Sequence, residues 1–522
     1  MKEKGLKGKT PFACAVFALC AAICGGGYAT AFAAADGEQA IVSDKYAVAD
    51  YCGESNFSVF MDKDGYLYAS GDNSVGQLGR KKLGGKASIE PLEGKILSEK
   101  AAAFDTGRSG FTLAVTQNGK LYGWGNNANG QLCKEIKTLS GPDDKSNCYP
   151  TPLEITLPSD CVAADVQAGY GYALLLSADG GVYAWGQNNC GQLGLSLEAS
   201  RKVNVTEPTK IPAEKFGGEK IVQIAAAEYT SFAVTESGKL YAWGDTEYGQ
   251  LCDGETDADS EPVTEPKQTL LTGVKKVSAE STTAMALTVS GEAYAWGNNL
   301  FGQLGCGRLN VTENNKWSNS PVKIENFYSA AGKAENVEIV DIACGGIANF
   351  LLSKNGGVYA CGSGGAGELG FLAAGSTFEE EGKVLAPTKV TFYEPISIEN
   401  LAASGQTTDG TPVDKTVVKS VKIVEFINTI GERTFVKDED GNVWSWGKNT
   451  DGQVASGNVS ITNVPVRSTL FRDKDYDVNI KEKNYLIEPL VGLSIIFGGA
   501  ALFFIATEIK WARQRRLEKS GK

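Results

Sequence analysis

The chain has 522 residues, a formal net charge of −12, no His and 12 Cys. An acidic surface repels phosphate backbones, so a broad nucleic-acid-binding role is excluded. Without His, every mechanism that uses imidazole as base or metal ligand is excluded too.

Residues 1–35 read as a secretory signal. Lys2, Lys4, Lys7 and Lys9 form the basic region, Pro11 to Cys24 the apolar stretch, and Ala31-Phe32-Ala33 or Ala33-Ala34-Ala35 the cleavage site. An uncleaved anchor is the alternative; a lipoprotein at Cys24 is disfavoured by the large Ile23.

Residues 36–475 repeat one phrase seven times. A full copy is Gly181-Val182-Tyr183-Ala184-Trp185-Gly186-Gln187-Asn188-Asn189-Cys190-Gly191-Gln192-Leu193-Gly194, with close copies at 65–79, 119–133, 238–252, 291–305, 356–370 and 441–455. The Gly after the aromatic position falls at Gly71, Gly125, Gly186, Gly244, Gly297, Gly362 and Gly447, and Trp124, Trp185, Trp243, Trp296 and Trp446 precede five of them. Spacings of 53 to 85 residues exceed a helical hairpin and suit a four-stranded propeller blade with long loops.

Within a unit, two β-rich segments flank a Gly-containing turn such as Asp64-Gly65, Asn118-Gly119 or Ser237-Gly238, which predicts a hairpin. A Pro then marks a third strand in every unit: Pro91, Pro152, Pro208, Pro266, Pro321, Pro387 and Pro465. Pro cannot donate to a ladder, so this strand is expected at the blade's edge. A fourth strand, typified by 220–227, leads to the next hairpin, and its small residues suit a crowded axis. The array starts with a strand at 46–52 and stops near 464–470, so ring closure by pairing the two chain ends is expected.

Tyr-Ala-Trp-Gly followed by Asn-Asn-x-x-Gly-Gln-Leu-Gly resembles the signature of the regulator of chromosome condensation repeat family. The resemblance covers about residues 40–475 and implies a seven-bladed propeller, here of a bacterial-type, membrane-anchored extracellular kind. The family's usual His before the hairpin is missing; Tyr172, Thr230 and Thr283 lie near that position. Ser70 and Cys361 replace the Trp in units one and six. Extra sequence at 392–417 lengthens the sixth interval.

Residues 476–489 read as a linker, and 490–507 as one transmembrane helix. Trp511, Arg513, Arg515 and Arg516 follow, which puts the basic tail 508–522 in the cytoplasm and the propeller outside the cell. Ser494 and Gly498 make one small-xxx-small pair, too little to infer dimerisation. The two ends carry +3 and +4, so with −12 overall residues 36–507 hold −19. The fold expected is therefore all-β, a seven-bladed β-propeller of four-stranded blades, with a signal peptide and one C-terminal transmembrane helix.

Nine Cys lie beyond the signal, an odd number, so at least one is unpaired or bridges chains. Cys133 and Cys148 could close a disulfide; Cys133, Cys190 and Cys252 otherwise satisfy a need for small residues in the repeat turn. Asp62 to Gly65 and Asp438 to Gly441 read as turns rather than calcium loops, and Asp253 to Glu261 as a solvated acidic loop. Glycosylation triplets such as Asn204-Val205-Thr206 have meaning only in a host with that machinery.

No catalytic, cofactor-binding or metal-binding constellation stands out, so no enzyme activity and no cofactor are expected. Function should lie where the copies differ, in loops on one face. The candidate partner-binding residues are Tyr170, Tyr172, Tyr229, Tyr248 and Phe301. The leading reading is a non-enzymatic cell-surface scaffold that binds a protein or cell-wall component. The alternatives are an enzyme-inhibitor propeller, a guanine-nucleotide exchange factor, and a carbohydrate-binding or carbohydrate-active propeller. Exchange, the activity the resemblance implies, is opposed by the extracellular topology.

Overall fold

The structure, a computed structural model, describes residues 48–467 apart from interruptions, the longest being 84–94, 396–415 and 449–461. Consecutive strands pair antiparallel into sheets that follow one another along the chain. The third sheet shows the plan. Ala163–Ala168 pairs with Tyr172–Ser177, that strand with Val182–Gly186, and that in turn with Val205–Ile211. The second sheet covers 101–155, the fourth 221–268, the fifth 274–323, the sixth 339–389 and the last 423–467.

These six carry at least four strands, against the seven four-stranded blades expected. The first sheet has three strands, Val48–Cys52, Phe57–Asp62 and Leu67–Gly71. The strand expected at Pro91 lies outside the described residues. The sixth sheet is extended by the short strands Phe327–Tyr328, Ala334–Glu335 and Glu379–Glu380. Within the added stretch 392–417, Tyr393–Pro395 pairs with Thr416–Val418 as a separate ribbon.

The innermost strands touch their neighbours in chain order, and Val48–Cys52 touches both Ala101–Gly107 and Ile423–Asn428, so the array closes on itself. Among the described residues it does so without the expected strand exchange. Both end sheets are built from local segments, and the contact between them includes Arg433, whose Nη2 donates to the Phe57 carbonyl at 2.7 Å.

The Pro-bearing strands lie outermost in the second to fifth and last sheets, as a residue without an N–H requires. In the sixth, short added strands flank the segment that holds Pro387.

The core is divided into clusters between adjacent sheets, such as Leu113, Leu132, Val166, Leu175 and Trp185 between the second and third. One bond recurs across these seams. The buried indoles of Trp124, Trp185, Trp243 and Trp296 donate to the carbonyls of Gln77, Gln131, Gln192 and Gln250 of the preceding unit, at 2.8–2.9 Å. Trp446 donates likewise to the Glu368 carbonyl at 2.7 Å. Where Cys361 replaces Trp, its Sγ donates to the Gln303 carbonyl at 3.4 Å, beside Asn349 Nδ2 at 2.9 Å. Ser70 is buried, and its hydroxyl has no partner among the described residues.

The Gly after the aromatic is required twice over. Gly244 has φ +111°, and a Cβ there would lie 2.2 Å from the Tyr229 carbonyl oxygen. The turn that follows is fixed by side chains. Asn188 Oδ1 accepts from Leu193 N–H at 3.1 Å, and Gln192 Oε1 from Cys190 N–H at 2.8 Å.

Cys133 and Cys252 take φ of 54° and 55°, at positions where Gly79 and Gly194 take 68° and 67°. They stand in for Gly in left-handed backbone. None of the eight described cysteines is in a disulfide, so the Cys133–Cys148 bridge is absent. Burial instead pushes the Cys133 thiol up to about 12. The Asp turns form as expected: Asp62 Oδ1 accepts from Asp64 and Tyr66 N–H, and Asp438 Oδ1 from Asp440 and Asn442 N–H.

No helix among the described residues is long and apolar enough to cross a membrane. The expected signal, 1–35, and the expected span, 490–507, lie outside the described residues.

Candidate functional site: the inner turns of one face

Each sheet's innermost strand turns into the next strand at one face. Those turns span 108–110 in the second sheet, 169–171 in the third, 227–229 in the fourth and 281–282 in the fifth, and the Gly-Gln-Leu loops rise at the same ends. The candidates other than Tyr172 therefore share a face by topology: Tyr170 and Tyr229 on inner turns, Tyr248 and Phe301 on Gly-Gln-Leu loops.

Tyr170 is 37% exposed, and its ring lies 5.5 Å from that of partly buried Tyr229, tilted by 40°. Tyr248 and Phe301 are half-buried beside exposed Glu247 and Leu300.

Tyr172, expected to bind a partner, is buried in the core instead. It is 0% exposed, its hydroxyl donates to the Thr230 carbonyl at 2.8 Å, and Ser231 Oγ donates back to it at 3.0 Å. As the first residue of a strand paired on both sides, it points into the seam with the fourth sheet. It cannot anchor a partner.

The turns are tied to one another. Ser109 N–H donates to the Tyr170 carbonyl at 3.0 Å, and Tyr170 N–H to the Glu228 carbonyl at 3.1 Å. Arg108 reaches across them, with Nη1 3.2 Å from Glu228 Oε2 and 3.7 Å from Glu280 Oε1. Ser281 Oγ donates to Glu228 Oε2 at 3.2 Å, and Ser281 holds a left-handed φ of 52°. Four sheets thus contribute to one braced platform under the Tyr170–Tyr229 pair. Charge-assisted bonds of this kind fix geometry as well as adding stability.

The platform is acidic. Burial pushes the Glu280 carboxyl up to about 7; Arg108 opposes that shift, while Glu228 and Asp105 reinforce it. Burial also raises the Asp245 carboxyl, with Glu247 and Glu228 adding to it against two backbone bonds. The Tyr229 phenol goes up to about 12, first by burial and then by Glu228. Deeper along the inner strands, Asp165 is pushed up to about 7 by burial and by Asp105, against its bond from Val166 N–H.

The sequence reading did not single out Arg108, Glu228 or Glu280. They occupy the same variable pre-strand segment that marks Tyr170 and Tyr229, so that position was the available signal. Among the described residues no group of His, Cys, Asp and Glu is arranged to hold a metal ion. At the start of the acidic loop, Asp253 and Glu255 pair with Lys267 at 3.0 and 2.6 Å.

The sequence profile of the RCC1-like domain matches residues 20–409, and that of the regulator of chromosome condensation (RCC1) repeat matches 440–480. The chain is 26% identical to the Ultraviolet-B receptor UVR8 of Arabidopsis thaliana over 419 residues, 80% of this chain and 83% of that one. It is 29% identical to the human E3 ubiquitin-protein ligase HERC2 over 404 residues, 76% of this chain but 7% of that much longer protein. Among solved structures it is similar to yeast RCC1 (Prp20) bound to Kap60, at TM-score 0.60 and 21% identity, covering 86% of this chain and 92% of that one. Human WBSCR16 gives TM-score 0.58 at 20% identity, covering 77% and 93%.

Proposed function

We propose that this chain, which belongs to the RCC1-like domain family, is a non-enzymatic protein-binding scaffold held at the cell surface with its propeller outside. The observation that carries the binding reading is the Tyr170–Tyr229 pair. It presents an exposed aromatic ring on a platform already braced by Arg108 and by turn-to-turn backbone bonds. Aromatic anchors on a pre-organised surface bind with little further loss of conformational freedom. Repeat groups such as the Trp185 indole and the Gln192 carbonyl are committed to the seams, which leaves the inner turns free to vary.

Support for the surface location comes from the sequence: the basic and apolar stretches of 1–35, the apolar run 490–507, and the Arg cluster after it. The complex of yeast RCC1 with Kap60 is a property of that protein, and at 21% identity the likeness supports the fold.

Chemical cross-linking on intact cells tests the proposal. The wild-type chain should give a discrete protein or cell-wall adduct that Tyr170→Ala with Tyr229→Ala loses. An adduct that survives the double substitution unchanged contradicts it. Protease treatment of intact cells checks the topology: propeller fragments should be released while the 508–522 tail stays protected.

A further inference from the structure

We infer that the partner segment received at the Tyr170–Tyr229 face is cationic, an extended stretch carrying Arg or Lys; this rests on that face being the binding face. The aromatic pair is bordered by carboxylates. Glu228 lies next to Tyr229 in the same turn, Asp245 and Glu247 sit on the adjoining loop, and Glu280 lies on the next inner strand. Glu247 is exposed and in no ion pair among the described residues.

The chain's own Arg108 shows what this rim accepts. Its guanidinium sits between Glu228 and Glu280, at 3.2 and 3.7 Å, which leaves exposed Glu247 for another cation. The exposed face of the Tyr170 ring attracts a cation through its quadrupole. An anionic segment would meet like charge at Glu228 and Glu247, and an uncharged apolar one would desolvate those carboxylates without compensation. The net −19 of residues 36–507 also steers a basic segment toward the protein.

The test measures binding of the full chain to short fluorescein-labelled Gly-Arg and Gly-Glu repeat peptides by anisotropy. The Gly-Arg peptide should bind and the Gly-Glu peptide should not. Tyr170→Ala and Glu247→Gln should each weaken Gly-Arg binding by about tenfold, a loss in the range of one cation–π or charge-paired contact. Tyr170→Phe keeps the ring and should bind within about twofold of wild type. Glu338→Gln removes an exposed carboxylate at the opposite face and should change little. Unchanged melting temperatures show that each variant is folded.

Equal losses from Glu338→Gln and Glu247→Gln would make the binding diffuse charge attraction and overturn the inference, as would no preference between the peptides. If the cellular adduct still depends on Tyr170 in that case, the face reading survives and only the cationic partner falls. If the adduct is also indifferent to Tyr170, both fall.

Discussion

Arg433 Nη2 donates to the Phe57 carbonyl at 2.7 Å, joining the last sheet to the first across 376 residues of sequence. The contact repeats an interior one. Arg433 opens its strand at the register position that Tyr172 holds in the third sheet, each opposite the repeat Gly of its partner strand. Tyr172 donates to the carbonyl of Thr230, the same position one sheet on, as Arg433 does to Phe57. The closing seam therefore uses an ordinary inter-sheet geometry, with a guanidinium in place of a phenol.

Arg433→Met keeps bulk but removes a donor to the buried Phe57 carbonyl. A loss of about 1–3 kcal/mol is expected, read as a lower denaturation midpoint of the full chain. An unchanged midpoint would show that the seam closes without this bond.

Tyr170 and Tyr172 should separate binding from stability. Tyr172→Phe strips a buried hydroxyl of its bonds and should cost about 1–3 kcal/mol while leaving partner binding intact. Tyr170→Ala should stay within about 0.5 kcal/mol of wild type in stability and lose binding. Thermal melts and binding assays on the same two variants check the pair, and the reverse pattern would overturn the assignment.

These two residues also show what the sequence could and could not reveal. The repeat phrase made the hairpins, the edge strand with its Pro and the buried Trp legible, because each follows from local backbone chemistry. Tyr170 and Tyr172 flank Gly171 and look equivalent in the sequence. Only the start of the strand at Tyr172 decides which ring enters the seam, and strand boundaries depend on pairing partners. Arg108 was missed for a related reason. Its partners, Glu228 and Glu280, are brought to it by the closure of the array, which no local pattern encodes. The same holds for Arg433, and it is why chain-end pairing was expected where a side-chain contact closes the seam.

Gly244→Ala links the repeat to the site. The new Cβ would meet the Tyr229 carbonyl at 2.2 Å in a backbone with φ of +111°. A cost of about 3 kcal/mol or more is expected, together with displacement of the Tyr229 turn. The measurements are a melt and the change in Tyr229 environment by spectroscopy; a variant as stable as wild type would contradict the strain argument.

Acidity should stabilise the fold through two carboxyls that folding desolvates, part-buried Asp165 and buried Glu280. Burial raises Asp165 from 3.8 and Glu280 from 4.5, each to about 7. The unfolded chain releases these protons near the ordinary values, and the folded chain keeps them until about pH 7. The folded state therefore binds more protons across that window, so stability falls as pH rises from about 4 to about 7 and then levels off. Asp165→Asn removes one of these groups. It should make the decline shallower and raise the melting temperature above pH 7; an unaltered slope would show that Asp165 does not titrate in this window.

The most direct measurement places a photo-reactive benzoylphenylalanine at Tyr170 or at Val289, which is 76% exposed on a hairpin of the opposite face, in the full chain on intact cells. Irradiation should yield a discrete partner adduct from position 170 and none from position 289. An adduct from 289 alone, or equal adducts from both, would contradict a binding function at the Tyr170–Tyr229 face.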